Sequence, residues 1–145
     1  MSADTGVPAE LFQLDRPTCL ALLTTQHVGR LILGDVEPAV VPLNYRIADD
    51  VITFRTEPGS HAQQAAGRGV TFEVDMFDDR TRSGWSVLVR GRLDATPADA
   101  TESRIDTWAP GDRDLVMTVT IDTVTGRLLR GAVDAAGRHR ADGYL

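Results

Sequence analysis

The chain contains no lysine: all 15 of its basic residues are arginines. Lysine Schiff bases and lysine–phosphate contacts are therefore excluded from its chemistry. There is one cysteine, Cys19. A single thiol cannot form an internal disulfide, and no Cys/His spacing suggests zinc. Cys19 falls in an apolar run and reads as a buried, inert thiol. Excess positive charge is also missing. The formal net charge is −6, which argues against binding nucleic acid through a basic surface. No apolar run approaches the roughly 18 residues that span a bilayer. The first residues, "MSADTGVPAELFQLD", have neither the basic start nor the apolar core of a secretory peptide. A cytoplasmic protein with no membrane partner is expected.

Several catalytic signatures are absent as well. There is no Walker phosphate loop. "GRGVTF" (67–72) begins like a dinucleotide fingerprint but lacks the third glycine and leads into a strand. "GWSVL" (84–88) imitates a nucleophile elbow until Leu88 replaces the closing glycine. Asp75, Asp78 and Asp79 lack the glycine and spacing of a calcium loop. No metal site is expected.

What is present is a globular composition: 42% hydrophobic and 25% charged over 145 residues. That suits one domain. Asp15 and Pro17 mark the start of a short helix over 16–25. Strands are expected at 28–33, 37–47 and 51–56, with Asp35 in the first connection and Asp49-Asp50 turning between the last two. Pro42 within 37–47 indicates an edge or a bulge. A short helix over 60–67 follows the Pro58-Gly59 turn. Residues 69–75 alternate as a strand, 76–84 read as a polar loop, and 85–95 as a long strand. In that strand Trp85, Val87, Val89, Gly91 and Leu93 share one face. A helix is expected over 97–109, and final strands at 114–122 and 125–130. Residues 1–14 and 131–145 read as loose termini. Six or seven strands in hairpin order, with short helices, predict a mainly β protein. The expected architecture is a six-stranded antiparallel split barrel with small flanking helices.

In their order, "VGRLIL", "PAVVPLNYRI", "ITFRTEPGS", "VTFEVD", "GWSVLVRGRL" and "TGRLL" resemble the pyridoxamine 5′-phosphate oxidase-like family of flavin-binding split barrels. The resemblance is closest to its short actinobacterial members and runs from about Leu20 to Arg130. It implies a homodimer with FMN in a groove at the interface. Val41, Pro42, Leu43 and Asn44 would run along the flavin ring. Phe54, Arg55, Thr56, Ser60 and His61 would hold the phosphate. Trp85 and Ser86 would approach the ring from the partner chain. The chemistry suits this placement: a phosphate wants a guanidinium, hydroxyl donors and free N–H groups, and a flavin ring wants an apolar wall with a polar rim. Each residue also has an ordinary reading, with Trp85 as core, Arg55 as a strand residue and Ser60 as a helix cap. His61 stands where the family commonly has a fixed cation, which implies a phosphate affinity that depends on pH. The resemblance implies an FMN-dependent oxidoreductase acting on a small molecule. The alternative is a binding or sensing protein that holds a flavin, a deazaflavin coenzyme or haem without turnover. The tryptophan and arginine that grip substrate in the true oxidases have no counterpart in "TGRLLRGAVDAAGRHRADGYL", so pyridoxamine phosphate is not the expected substrate.

Overall fold

A computed structural model describes residues 5–96, 105–111 and 113–139. Two helices and seven strands follow in the order β1 (Glu10–Leu14), α1 (Arg16–Leu23), β2 (Val28–Leu33), β3 (Ala39–Ala48), β4 (Val51–Thr56), α2 (His61–Gln64), β5 (Gly69–Asp78), β6 (Ser83–Thr96) and β7 (Leu115–Arg130). The sheet runs β7-β4-β3-β2-β5-β6 and closes through β6–β7 pairing, with β1 added outside β7. This is the closed six-stranded antiparallel barrel that the strand pattern predicts. Closure leaves no edge among the barrel strands except where two of them part.

Local chemistry explains most of the boundaries. Asp15 caps α1, accepting the Thr18 N–H at 2.9 Å. Asp49 and Asp50 both have positive φ, 51° and 60°, as a two-residue hairpin turn requires. They join β3 to β4 with Ala48 opposite Val51. The core fills the barrel. Phe54, Phe72, Leu31, Ile52, Leu93, Met117 and Val119 are fully buried, and such side chains contribute roughly 1.5–3 kcal/mol each. The rings of Tyr45 and Phe72 meet edge to face at 5.2 Å, and the Tyr45 hydroxyl donates to the Leu23 carbonyl, tying α1 to the barrel. Cys19 is fully buried, and burial pushes its thiol pKa up, as an inert thiol requires.

Four expectations change. The loop over 76–84 shrinks to 79–82, because Met76 and Phe77 continue the β5–β6 ladder to Asp78↔Ser83. The two final strands are one 16-residue strand, β7. Residues 10–14 are not loose: they pair with β7 from Glu10↔Arg130 to Leu14↔Gly126. The second helix is four residues rather than eight. Of the helix expected over 97–109, residues 97–104 lie outside the described residues, and 105–109 are irregular. Beyond β7, Val133 bridges Val7 and His139.

β7 organises the molecule. One of its edges pairs with β6 along nearly its whole length. Its other edge takes β4 over 115–120 and then β1 over 126–130. No helix among the described residues is long and apolar enough to cross a membrane.

Candidate functional site

The barrel splits between β3 and β4. They pair only from Tyr45↔Phe54 to Ala48↔Val51. Before Tyr45, β3 continues alone against β2, from Val28↔Asn44 to Leu33↔Ala39. After Phe54, β4 continues alone against β7, through Arg55↔Val116 and Thr56↔Leu115. One backbone edge of residues 39–44 is therefore open. Pro42 sits within it and is exposed, while Val41, Leu43 and Asn44 are half-buried. A proline at an open edge breaks no ladder, as its position in the sequence suggested.

The excursion between β6 and β7 returns over this split. Asn44 donates its amide to the His27 carbonyl at 3.2 Å and accepts the Trp108 N–H at 2.8 Å. A cavity of about 580 Å³ opens there, lined by His27, Asn44, Tyr45, Arg46, Ile105 and Trp108. Trp108 is 67% exposed, so an aromatic face stands free beside a polar rim. Ile105 and Val116 are buried yet lie outside the main core cluster.

The end of β4 carries the charge. Thr56 is buried, and Arg55 is half-buried with its Nε sealed from solvent and without a partner among the described residues. A buried donor without an acceptor costs about 1–3 kcal/mol, and an anionic ligand is one way to satisfy it. The corner beyond behaves differently. The Ser60 hydroxyl accepts the Gln63 N–H at 3.3 Å, the Gly59 N–H is taken by the Gln63 side chain, and Gln64 donates to the Gly59 carbonyl at 3.2 Å. This corner caps itself. Ser60 is a helix cap, and His61 begins α2 on the surface.

The remaining candidates lie elsewhere in the chain. Phe54 is fully buried and Trp85 is 5% exposed, both in the main core cluster, so these rings are committed to packing. Trp85 pairs with Leu128 and Ser86 with Arg127, at the opposite end of β7 from Arg55. Within one chain, Val41–Asn44 and Phe54–His61 flank the split, and Trp85 and Ser86 do not reach it. The cavity brings in His27, Arg46 and Trp108, none of them a candidate from the sequence: His27 reads there as a surface or turn residue, and Trp108 lies in a stretch whose pattern predicts a helix.

Ser86 instead lines a second cavity, of about 480 Å³, with Gln13, Glu73, Leu88, Thr125 and Arg127. Arg30 Nη1 bridges Glu73 Oε1 at 3.0 Å and Asp75 Oδ2 at 3.3 Å. Burial, and then Asp75 beside it, raise the Glu73 pKa to about 7 against the pull of Arg30. The folded state thus holds this proton more tightly than the unfolded chain. Its contribution to stability is fully present below about pH 4.5 and is lost as pH rises through about 7. Glu73→Gln is expected to flatten that slope and to stabilise the protein by about 1 kcal/mol at pH 8, after allowing for solvent screening. Urea melts at pH 5 and pH 8 check this, and an unchanged slope would show that Glu73 is not the titrating group.

The closed barrel with an open β3 edge makes this a split-barrel protein. The sequence profile described as pyridoxamine 5′-phosphate oxidase matches residues 15–128, and the chain belongs to that family. An uncharacterised protein of Mycobacterium tuberculosis is 29% identical over 128 residues, covering 81% of this chain and 84% of that protein. An FAD-binding protein of Mycobacterium smegmatis superposes with a TM-score of 0.66 and 25% identity, over 83% of this chain and all of that one. An FAD-binding protein of Mesorhizobium loti gives 0.68 and 27%, over 81% and 97%.

Proposed function

We propose that the split between β3 and β4 is a flavin nucleotide site and that the protein is a flavin-dependent oxidoreductase. The observation that carries this reading is the buried Nε of Arg55, without a partner among the described residues, beside the open edge of β3. A phosphate-bearing ligand satisfies that donor. Val41, Pro42 and Leu43 supply an apolar wall along the edge, and Asn44 supplies a polar rim. Asn44 reaches a ring edge once its bond to the Trp108 N–H is given up. The bound flavin would supply the hydride and electron chemistry, and the chain would supply position and electrostatics. The likeness to two FAD-binding proteins supports a flavin nucleotide, with FMN and FAD both in scope. Ser86 joins this site only from a second copy of the chain, so the proposal includes a homodimer.

A second reading has its own observation. Asn44, the rim residue, is already engaged on both sides, by the His27 carbonyl and the Trp108 N–H. A site closed in this way suits a protein that holds a flavin, a deazaflavin coenzyme or haem without turnover.

Protein refolded with excess FMN or FAD and then desalted is expected to keep a flavin absorption spectrum and to sediment as a dimer. Oxidation of reduced nicotinamide by the yellow protein separates an enzyme from a binder. A colourless protein after reconstitution would remove the flavin reading altogether.

A further inference from the structure

The cavity beside Ser86 is unbalanced in charge at both ends. Its lining comes from four neighbouring strands. Glu73 pairs with Leu88, Leu88 with Thr125, Ser86 with Arg127, and Arg127 with Gln13. Partners across an antiparallel ladder point to one face, and so do residues two apart on a strand. That face is the outer one, because the intervening Val74 and Val87 are buried in the barrel core. All six residues line one cavity of about 480 Å³. On the β5 side, Glu73 and Asp75 share a single guanidinium, with Arg30 Nη1 at 3.0 and 3.3 Å. Two carboxylates against one cation leave a negative charge uncompensated. The chain alone answers by holding a proton on Glu73, whose pKa burial and Asp75 raise to about 7. On the β7 side, Arg127 forms no ion pair among the described residues. Arg90, the next charge along β6, lines a different cavity. Ser86 and Thr125 add hydroxyls between the two ends, and Gln13 adds an amide beside Arg127. Two strand spacings and one two-residue step set the α-carbons of Glu73 and Arg127 on the order of 12 Å apart. A hydrogen bond of about 3 Å at each end leaves on the order of 6 Å for a ligand.

We propose that this cavity binds a small amphoteric molecule, its ammonium at Glu73 and its carboxylate at Arg127, with a few carbons between the two charges. Such a site goes beyond the flavin site and does not rest on it. Where a second copy brings Ser86 to the split, it brings this ligand there too. The ammonium takes over from the Glu73 proton, and the carboxylate gives Arg127 a bidentate partner. Binding therefore releases a proton below about pH 7. Affinity is full above that pH and is lost as pH falls through it.

The test is calorimetry of the full-length protein with glycine, γ-aminobutyrate, 6-aminohexanoate, butyrate and butylamine as probes. One of the two longer amino acids is expected to bind with a Kd of about 1 mM or tighter, and about tenfold tighter than the other three compounds. Its affinity should fall about tenfold from pH 8 to pH 5.5. Glu73→Gln should remove that pH dependence and reduce the affinity to that of butyrate. Arg127→Gln should reduce it to that of butylamine. Glu73→Asp keeps the charge and should keep the pH trend, so the test stays decisive if Glu73→Gln does not fold. Arg80→Gln, an equal charge change in the exposed turn after β5, should alter none of the affinities. Equal affinities for all five compounds, or affinities that ignore both Glu73→Gln and Arg127→Gln, would overturn the inference. A flavin spectrum after reconstitution with no probe bound would overturn this site and keep the flavin reading. Probe binding that needs both residues, in a protein that takes up no flavin, would do the reverse.

Discussion

Arg55→Gln is expected to weaken FMN and FAD binding by about 10- to 100-fold, the value of one or two charge-assisted hydrogen bonds. Riboflavin, which has no phosphate, should bind about as before. Stability should move the other way or not at all. In the free protein the Arg55 Nε is buried without an acceptor among the described residues, and removing such a group relieves a cost rather than a contact. A purely structural arginine would behave oppositely, with its loss lowering the melting temperature and leaving the phosphate-dependent affinities alone. Parallel titrations with riboflavin and FMN, and a melt of the free variant, therefore separate the two roles. Equal losses for riboflavin and FMN would place Arg55 outside the phosphate contact.

Gly91→Ala is expected to cost about 3 kcal/mol or more, and to lower the melting temperature by about 10 °C. Gly91 sits at the one irregularity of the β6–β7 ladder, where the register slips between Arg90↔Thr123 and Gly91↔Ile121. A Cβ there would lie 2.2 Å from the Thr120 carbonyl oxygen and 2.9 Å from Val119 Cγ1. The carbonyl is backbone and cannot swing aside, so the seam that closes the barrel must open. Gly69→Ala is the matched control. Its nearest neighbour would be the Gly91 carbonyl at 3.9 Å, which is ordinary contact, so a change within about 0.5 kcal/mol is expected. Chemical denaturation of the two variants decides the matter. Equal stabilities would mean that the seam tolerates a methyl group and that closure does not depend on Gly91.

The same seam shows why some of the fold was unreadable beforehand. "TIDTVTG" looked like a strand, a break and another strand, because Asp122 and Thr123 interrupt the apolar pattern. In the barrel Asp122 is the extra residue of the bulge, and the strand continues through it. A bulge inserts one residue and shifts the alternation, which imitates a turn when only one strand is visible. β1 was missed for a related reason. "ELFQL" is short, and it becomes a strand because β7 runs on past β4 and offers an empty edge. By contrast, β2, β4 and the Asp49-Asp50 hairpin were legible, since their periodicity and turn chemistry are local.

The candidate site divides along the same line. Residue type and order placed Val41–Asn44 and Arg55–His61 together, and the fold sets both beside the split. They did not reveal that Ser60 and Gly59 spend their hydrogen bonds on Gln63 and Gln64, or that the Trp85 ring is packed into the core. The sequence by itself determined β2, β4, their neighbours' core positions and the cation type, because periodicity, turn residues and composition are properties of short stretches; the family came through the resemblance of its ordered motifs. That the Arg55 Nε is buried without a partner among the described residues, and where β3 leaves β4, was decided only by the closed barrel. Burial and open edges are properties of neighbours far apart in the chain.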